Sequence, residues 1–458
     1  MREDRTVSGN ARIGRTSSKA AGGDQRSQTV WINWGRTQRC SPSRIAAPSS
    51  EDEICSIVRD ACTSGERVKA IGSGHSFTDI ACTTGRMLRL EGYNKILEID
   101  AKTGLVTMQS GISIAALSEE LSKHGLALEN QGDVAYQTIA GAISTATHGT
   151  GAKLRNISSQ VRGLSLVLAD GSVLRCSATE EPDVFENARV SLGAFGVIST
   201  VTLQCVPAFA LHSIEEPRNL DDVLANFDEL ASTNDHFEFF WFPHTERAQL
   251  MTNNRTDRPV KPKSKASAYI NDIVLENHAF GFVQDIGHAR RAWVPGLARF
   301  AAGMLSRTEV VDSSHRVFAN ERLVRFAEME YAIPRAQVVD ALREVKAMIE
   351  RTGMRISFPV EVRVVAPDDI PLSTAFGRPT GYIAVHVYYK DDYVAYFREV
   401  EKIMGALEGR PHWGKLHFRN AASLRPLYPT WDGFIAVRNR LDPQRTFGNA
   451  YLERVLGQ

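Results

Sequence analysis

Three glycine clusters in the N-terminal half limit what this chain can fold into more than any other feature. They read GSGHSF at 72–77, AGAISTATHGTGA at 140–152 and LGAFG at 192–196. Glycine lets a backbone turn, or approach a bound group, where a side chain would clash. A single cluster usually serves only a turn. Three in one unit, two of them carrying histidine and hydroxyl residues, point to a binding surface. No GxGxxG stands between a strand and a helix with an acid some twenty residues on, which excludes a Rossmann unit. No GK[ST] follows the glycines, which excludes a P-loop. His75 is an odd residue for a phosphate cradle, and its presence needs a reason.

The segments around these clusters have readable periodicities. EDEICSIVRDACTSG reads as a helix with Ile54, Ile57, Val58 and Ala61 on one face and Gly65 at its end. RVKAI is a short strand running into the Gly72 loop. KILEIDAKTGLVTMQSG and RGLSLVLADGSVLRCS read as hairpins, turning at Lys102-Thr103-Gly104 and at Asp170-Gly171. SIAALSEELSKHG is a helix ending on Gly125, and GVISTVTLQCVP is a strand closed by Pro207. Residues 29–207 therefore form an α+β unit, with Trp31 and Trp34 as its first large apolar anchors. Residues 1–28 are polar and rich in Arg, Ser and Gly. They carry no apolar stretch of the secretory kind and read as a flexible tail without a fold role.

With 458 residues the chain is long enough for two domains. Lys and Arg total 54 against 53 acids, so a basic nucleic-acid footprint is not expected. No apolar run approaches the ~20 residues of a membrane span. The six cysteines form no CxxC pair, so neither zinc nor dithiol chemistry is indicated, and they read as buried thiols of a cytosolic protein. A peripheral membrane contact stays open.

In the second half, IPRAQVVDALREVKAMIERTG and DYVAYFREVEKIMGALEG read as amphipathic helices. RISFPVEVRVV and GYIAVHVYY read as strands. Such alternation predicts a sheet with helices on one face, lying over the first unit. Residues 208–330 show no pattern that places their elements. On the first strand Glu361 and Arg363 share a face, with Val360, Val362 and Val364 on the other. Burying that pair demands partners, and a simple salt bridge between two elements would also satisfy it. His386 on the next strand, and His412, Trp413 and Lys415 in RPHWGKLHF, each have ordinary packing or surface readings. Taken together, an acid, a guanidinium, an imidazole and an ammonium suit a pocket for a polyhydroxylated molecule and a developing anion. No nucleophile with a base and no metal-ligand spacing accompanies them. Oxidation at a hydroxyl-bearing carbon would then need a cofactor as electron sink.

GSGHSFTDIACTTG, AGAISTATHGTG, EVR, HWGK and the closing LDPQRTFGNAYLERVLG resemble the sugar-1,4-lactone oxidases and dehydrogenases of the vanillyl-alcohol-oxidase flavoprotein superfamily, over roughly residues 30–458. The resemblance implies a two-domain α+β flavoprotein. It would have an FAD-binding domain at 29–207, a substrate or cap domain at 208–425, and a segment at 426–458 returning to the first domain. It answers the question of His75, which takes the position of a histidine bonded covalently to the flavin, while Gly72, Ser73, Gly74 and Ser76 bring the loop backbone to the FAD. Gly141, Ser144, Thr145, His148, Gly149, Gly196 and Ile198 are implied as further cofactor contacts. Glu361, Arg363, His386 and Lys415 are implied as the catalytic and substrate-holding set, and no metal is implied. The expected reaction is oxidation of the C2 hydroxyl of an aldono-1,4-lactone to an ascorbate-type product, with hydride going to the flavin. Electrons would pass on to oxygen or to a cytochrome-type acceptor. Alditol oxidase is the near rival, and a flavin-binding protein without turnover the distant one. The expected location is cytoplasmic.

Overall fold

The computed structural model describes residues 12–15, 29–262, 278–319 and 322–458. The helix Glu51–Thr63 forms where expected. Ser50 accepts from the Glu53 N–H at its start, three acids occupy its first turn, and Ile54, Val58 and Ala61 face the core. The strand Val68–Ile71 pairs in parallel with Arg86–Arg89, which also pairs with Arg44–Ala46. The two hairpins join the strand Val197–Gln204 in a five-stranded antiparallel sheet. The main core beneath this sheet holds Leu117, Ile139, Ile143, Leu166 and Val201. It also takes in Tyr428, Trp431, Phe434, Tyr451 and Leu452 from the C-terminal helices.

The second sheet has eight strands and supplies the floor of the candidate site. From one edge to the other its strands are Thr308–Ser313, Ala210–Asn219, Arg247–Thr256, His236–Trp241, Val360–Val365, Thr380–Tyr388, Phe326–Pro334 and Arg410–Pro411. Every pairing is antiparallel. One face carries the apolar residues of the alternation. Val360, Val362, Val364, Met329 and Tyr331 pack there against the helices Val338–Thr352 and Val394–Ala406. Each such large side chain contributes about 1.5–3 kcal/mol on burial. Gly353, at φ 66°, ends the first of these helices in the left-handed conformation that favours glycine.

Five of the eight strands begin in the stretch whose pattern could not be placed from sequence. ALHSIEEPRN and RAQLMTNNRT are half polar because they lie towards the outer end of the sheet, where Leu211, Ala248 and Leu250 are buried and the ladder to their neighbours holds the rest. Pro217 is tolerated because Arg218, Pro217 and Glu216 pair on one side only, where Thr308–Ser313 no longer reaches. The tail reading of 1–28 also needs correction within its described part. Arg12–Arg15 forms a strand antiparallel to Thr29–Ile32. Backbone pairing needs no apolar side chains, so composition gave no sign of it; the rest of 1–28 lies outside the described residues. Of the cysteines, Cys176 and Cys205 are buried, while Cys40, Cys55, Cys62 and Cys82 are partly exposed.

Candidate active site

The Gly72 loop lies along an open cleft, the concave kind of surface that small-molecule and cofactor sites use. The strand Val68–Ile71 delivers the chain to the loop. The helix Ile139–Ser144, capped by Thr138, supplies a second wall, and the Leu192–Ile198 stretch a third. The close approach is built in at Gly72, where an added Cβ would lie 2.3 Å from Thr138 Oγ1. Gly74 turns the loop at φ 75°, and its carbonyl accepts from the Trp34 N–H at 2.9 Å. Ser73 Oγ donates to the Tyr136 carbonyl at 2.7 Å. Among the described residues nothing accepts from the N–H groups of Ser73, Gly74, His75 or Ser76, so they form a nest suited to an anion. His75 stacks on Trp34 with ring centroids 5.3 Å apart. Among the described residues its buried Nε2 has no hydrogen-bond partner, and burial, aided by the charge of Lys415, lowers its pKa to about 4. A neutral imidazole with an open Nε2, beside bare N–H groups and glycines, fits FAD.

The polar face of the eight-stranded sheet adjoins this cleft. Phe77 N–H donates to the Gly414 carbonyl at 2.7 Å, and Lys415 Nζ lies 5.2 Å from the centre of the Phe77 ring. Strand register then sets the ion cluster. Glu238 stands opposite Arg363, Glu328 opposite His386, and the small Ala384 separates Glu361 from Glu330. Arg363 binds Glu238 through Nε at 2.6 Å, Asp133 at 3.5 Å, and its strand neighbour Glu361. Arg322 reaches Asp133 at 2.9 Å. Lys415 pairs with Glu328. His386 Nε2 lies 3.6 Å from Glu328 and 3.9 Å from Glu361, while its Nδ1 contacts the Pro359 carbonyl at 3.1 Å.

Carboxylates outnumber permanent cations in this cluster, and their protonation follows. Burial drives the Glu361 carboxyl up to about 7, with Asp133 and Glu238 adding to the effect and Arg363 opposing it. Burial works against the charge of His386, yet Glu328 and Glu361 outweigh it and raise its pKa. Lys415 is likewise desolvated, but Glu328 and Glu330 hold it charged. The site therefore joins a fixed guanidinium and ammonium to a carboxyl that titrates near neutrality, which is an arrangement for moving a proton beside a developing anion.

The residues expected from the sequence fall into two groups. Gly72, Ser73, Gly74, His75, Ser76, Gly141, Ser144, Thr145, Gly196 and Ile198 all line the cleft. His148 and Gly149 do not line it. His148 is stacked on Tyr382 at 3.6 Å, and its Nε2 lies 3.4 Å from Glu330; Gly149 is enclosed by Asn130 and Gln131. Glu361, Arg363, His386 and Lys415 come together as one cluster. Trp413 is packing, buried and donating to the Leu372 carbonyl at 2.7 Å. Asp133, Glu238, Arg322, Glu328 and Glu330 were missed. Glu328 and Glu330 alternate with Met329 and Tyr331 as Glu361 and Arg363 do with valines, so the same rule would have found them. A carboxylate in HFEFFW was a signal for Glu238. Asp133 and Arg322 carry none. His148, Glu330 and His412 bring ligand atoms within 4.8 Å of one another, as do Glu328, Glu361 and His386, a proximity that no sequence spacing announced.

Residues 42–177 match an FAD-binding domain model, and residues 201–455 match the D-arabinono-1,4-lactone oxidase model. An L-gulono-1,4-lactone dehydrogenase of Mycobacterium tuberculosis is 48% identical over 93% of this chain and 99% of its own length. An L-gulonolactone oxidase of Bos taurus is 38% identical over 92% and 97%. An alditol oxidase of a Streptomyces species is more distant, at 31% over 93% and 99%. Among solved structures, a solvent-stable cholesterol oxidase superposes with a TM-score of 0.79 at 20% identity, covering 94% of this chain and 98% of that one, a likeness of fold. The two-part flavoprotein architecture is thus the expected one. The lactone-oxidase match spans more than half of the 458 residues, and the chain belongs to the D-arabinono-1,4-lactone oxidase family.

Proposed function

We propose that the chain oxidises the C2 hydroxyl of an aldono-1,4-lactone to a 2-keto lactone, the precursor of an ascorbate-type enediol. The observation that carries this is the junction of the two sites, where the His75 loop and the ion cluster meet at Gly414 and Lys415. The glycine cleft and His75 would hold FAD, bonded through His75 in this reading, and it would supply the two-electron sink for the hydride. Arg363 and Lys415 stabilise negative charge at the reacting oxygen. Glu361 takes the hydroxyl proton, since a general base works best when its pKa lies near the operating pH, a contribution of ~10²–10⁴-fold. His386 orients the remaining hydroxyls. Glu238 and Asp133 keep the Arg363 guanidinium aimed, and Glu328 does the same for Lys415.

Residues 29–207 act as the FAD domain, 208–425 as the substrate domain and 426–458 as the returning segment, a division supported by the C-terminal side chains in the first core. The electrons would pass on to oxygen or a cytochrome-type acceptor. We place the protein in the cytoplasm with a peripheral membrane contact. No helix among the described residues is long and apolar enough to cross a membrane, but Trp293, Phe300 and Met304 are exposed along one side of the Val294–Gly303 helix, with Arg290 and Arg299 nearby.

The test is anaerobic. L-Gulono-, L-galactono- and D-arabinono-1,4-lactone, then xylitol and sorbitol, are added to the purified yellow protein. Bleaching by lactones supports the reading, and admitting air shows whether oxygen restores the colour. Bleaching by the polyols alone would replace it with alditol oxidation.

A further inference from the structure

Lys69 lies on the strand that leads into the glycine loop and takes no part in the reading above. Lys69 is 4% exposed and is one of the residues lining the cleft. Among the described residues it forms no ion pair. Among the described residues its Nζ donates to two backbone carbonyls, Phe447 at 3.3 Å and Leu192 at 3.4 Å, both long for a hydrogen bond. An ammonium has three donors, so one remains. Gly193, which lines the same cleft, lies beside the Nζ, and a Cβ added there would be 3.6 Å from it. The charged groups facing Lys69 are Arg438, which disfavours its charge, and Asp442, which favours it. Asp442 is already engaged by the N–H groups of Thr446 at 2.7 Å and Phe447 at 2.9 Å.

A buried ammonium with no anion beside it is costly, by several kcal/mol per ion. Burial, with Arg438, lowers the Lys69 pKa to about 7. An anion entering the cleft would reverse that pressure.

We propose that Lys69 is the charge partner of the FAD diphosphate, and that anion binding in the cleft takes up one proton at its Nζ. The empty cleft thus holds a largely neutral amine above neutral pH, and the filled cleft an ammonium. The proposal rests on the cleft being the FAD site.

The probe is ADP, which carries the diphosphate without the flavin. It is titrated calorimetrically into the full-length chain in a His75→Ala background freed of flavin, at pH 6 and pH 8, in two buffers of different ionisation enthalpy. About 0.9 proton should be taken up per ADP at pH 8 and little at pH 6, as expected for a group near 7 driven to its charged form. Lys69→Arg, charged at both pH values, should bind ADP without uptake. Lys69→Met should bind about 30-fold more weakly or worse. ADP binding without proton uptake at pH 8, or uptake that persists in Lys69→Arg, overturns the role of Lys69 alone. Failure of ADP to bind at either pH overturns the cleft as the FAD site as well.

Discussion

Replacing Glu361 by Gln should make the protein more stable and less active at once. In the folded chain this carboxyl holds its proton up to about pH 7, against a usual value of 4.5, because burial outweighs the attraction of Arg363. Between those two pH values the folded state binds more protons than the unfolded state, so wild-type stability falls as pH rises through the window. Each pH unit of displacement carries 1.36 kcal/mol, so the ionised side chain weakens the fold by about 3 kcal/mol above pH 7. Gln resembles the protonated acid and escapes that term. For a chain of this length, about 3 kcal/mol moves the melting temperature by about 3 °C. Thermal unfolding of both proteins from pH 4 to pH 8 should show matching midpoints at pH 4 and a gap opening in favour of Gln towards pH 8. Turnover of the best lactone should fall ~10²–10⁴-fold. A gap of constant size, or one that favours the wild type at pH 8, would refute the account of the cluster's electrostatics.

Further outcomes follow from the same geometry. Denatured in acid, the wild type should keep its yellow colour in the precipitate, while His75→Ala releases its flavin to the supernatant. Arg363→Ala should lower kcat far more than flavin content, measured by absorbance per protein, and normal turnover would remove Arg363 from the site. Gly72→Ala drives a Cβ against Thr138 Oγ1, so the capping bond to Gly141 N–H is lost at about 1 kcal/mol; flavin retention on dialysis should drop with it. Trp293→Ser with Phe300→Ser should reduce co-sedimentation with anionic vesicles without changing lactone turnover, whereas equal sedimentation of both proteins would remove that surface from the membrane reading.

Much of the fold was legible because it is local. A helix such as Glu51–Thr63 declares itself through a cap, an acidic first turn and a 3.6-residue stripe, and both N-terminal hairpins declare themselves through their turn residues. The Gly72 loop was equally readable, since the need for bare backbone selects glycine within a few residues of chain. The strand pattern around Glu361 and Arg363 even told which side chains share a face. Residues 210–219 gave no such pattern, because that strand is held mainly by its ladder and Leu211 is its one buried apolar side chain.

Which charges meet was settled by folding alone. Asp133, Glu238, Glu328 and Lys415 come from four separate segments, and no spacing in the chain relates them. His148 looked like a cofactor contact beside its glycines, yet folding turned it onto Tyr382 and Glu330. Lys69 is one residue of a short strand in the sequence, and only folding buries its Nζ against the Phe447 and Leu192 carbonyls. Periodicity follows from bonds between near neighbours, so the sequence shows it. Protonation depends on desolvation and on charges brought close by folding, so it belongs to the assembled molecule.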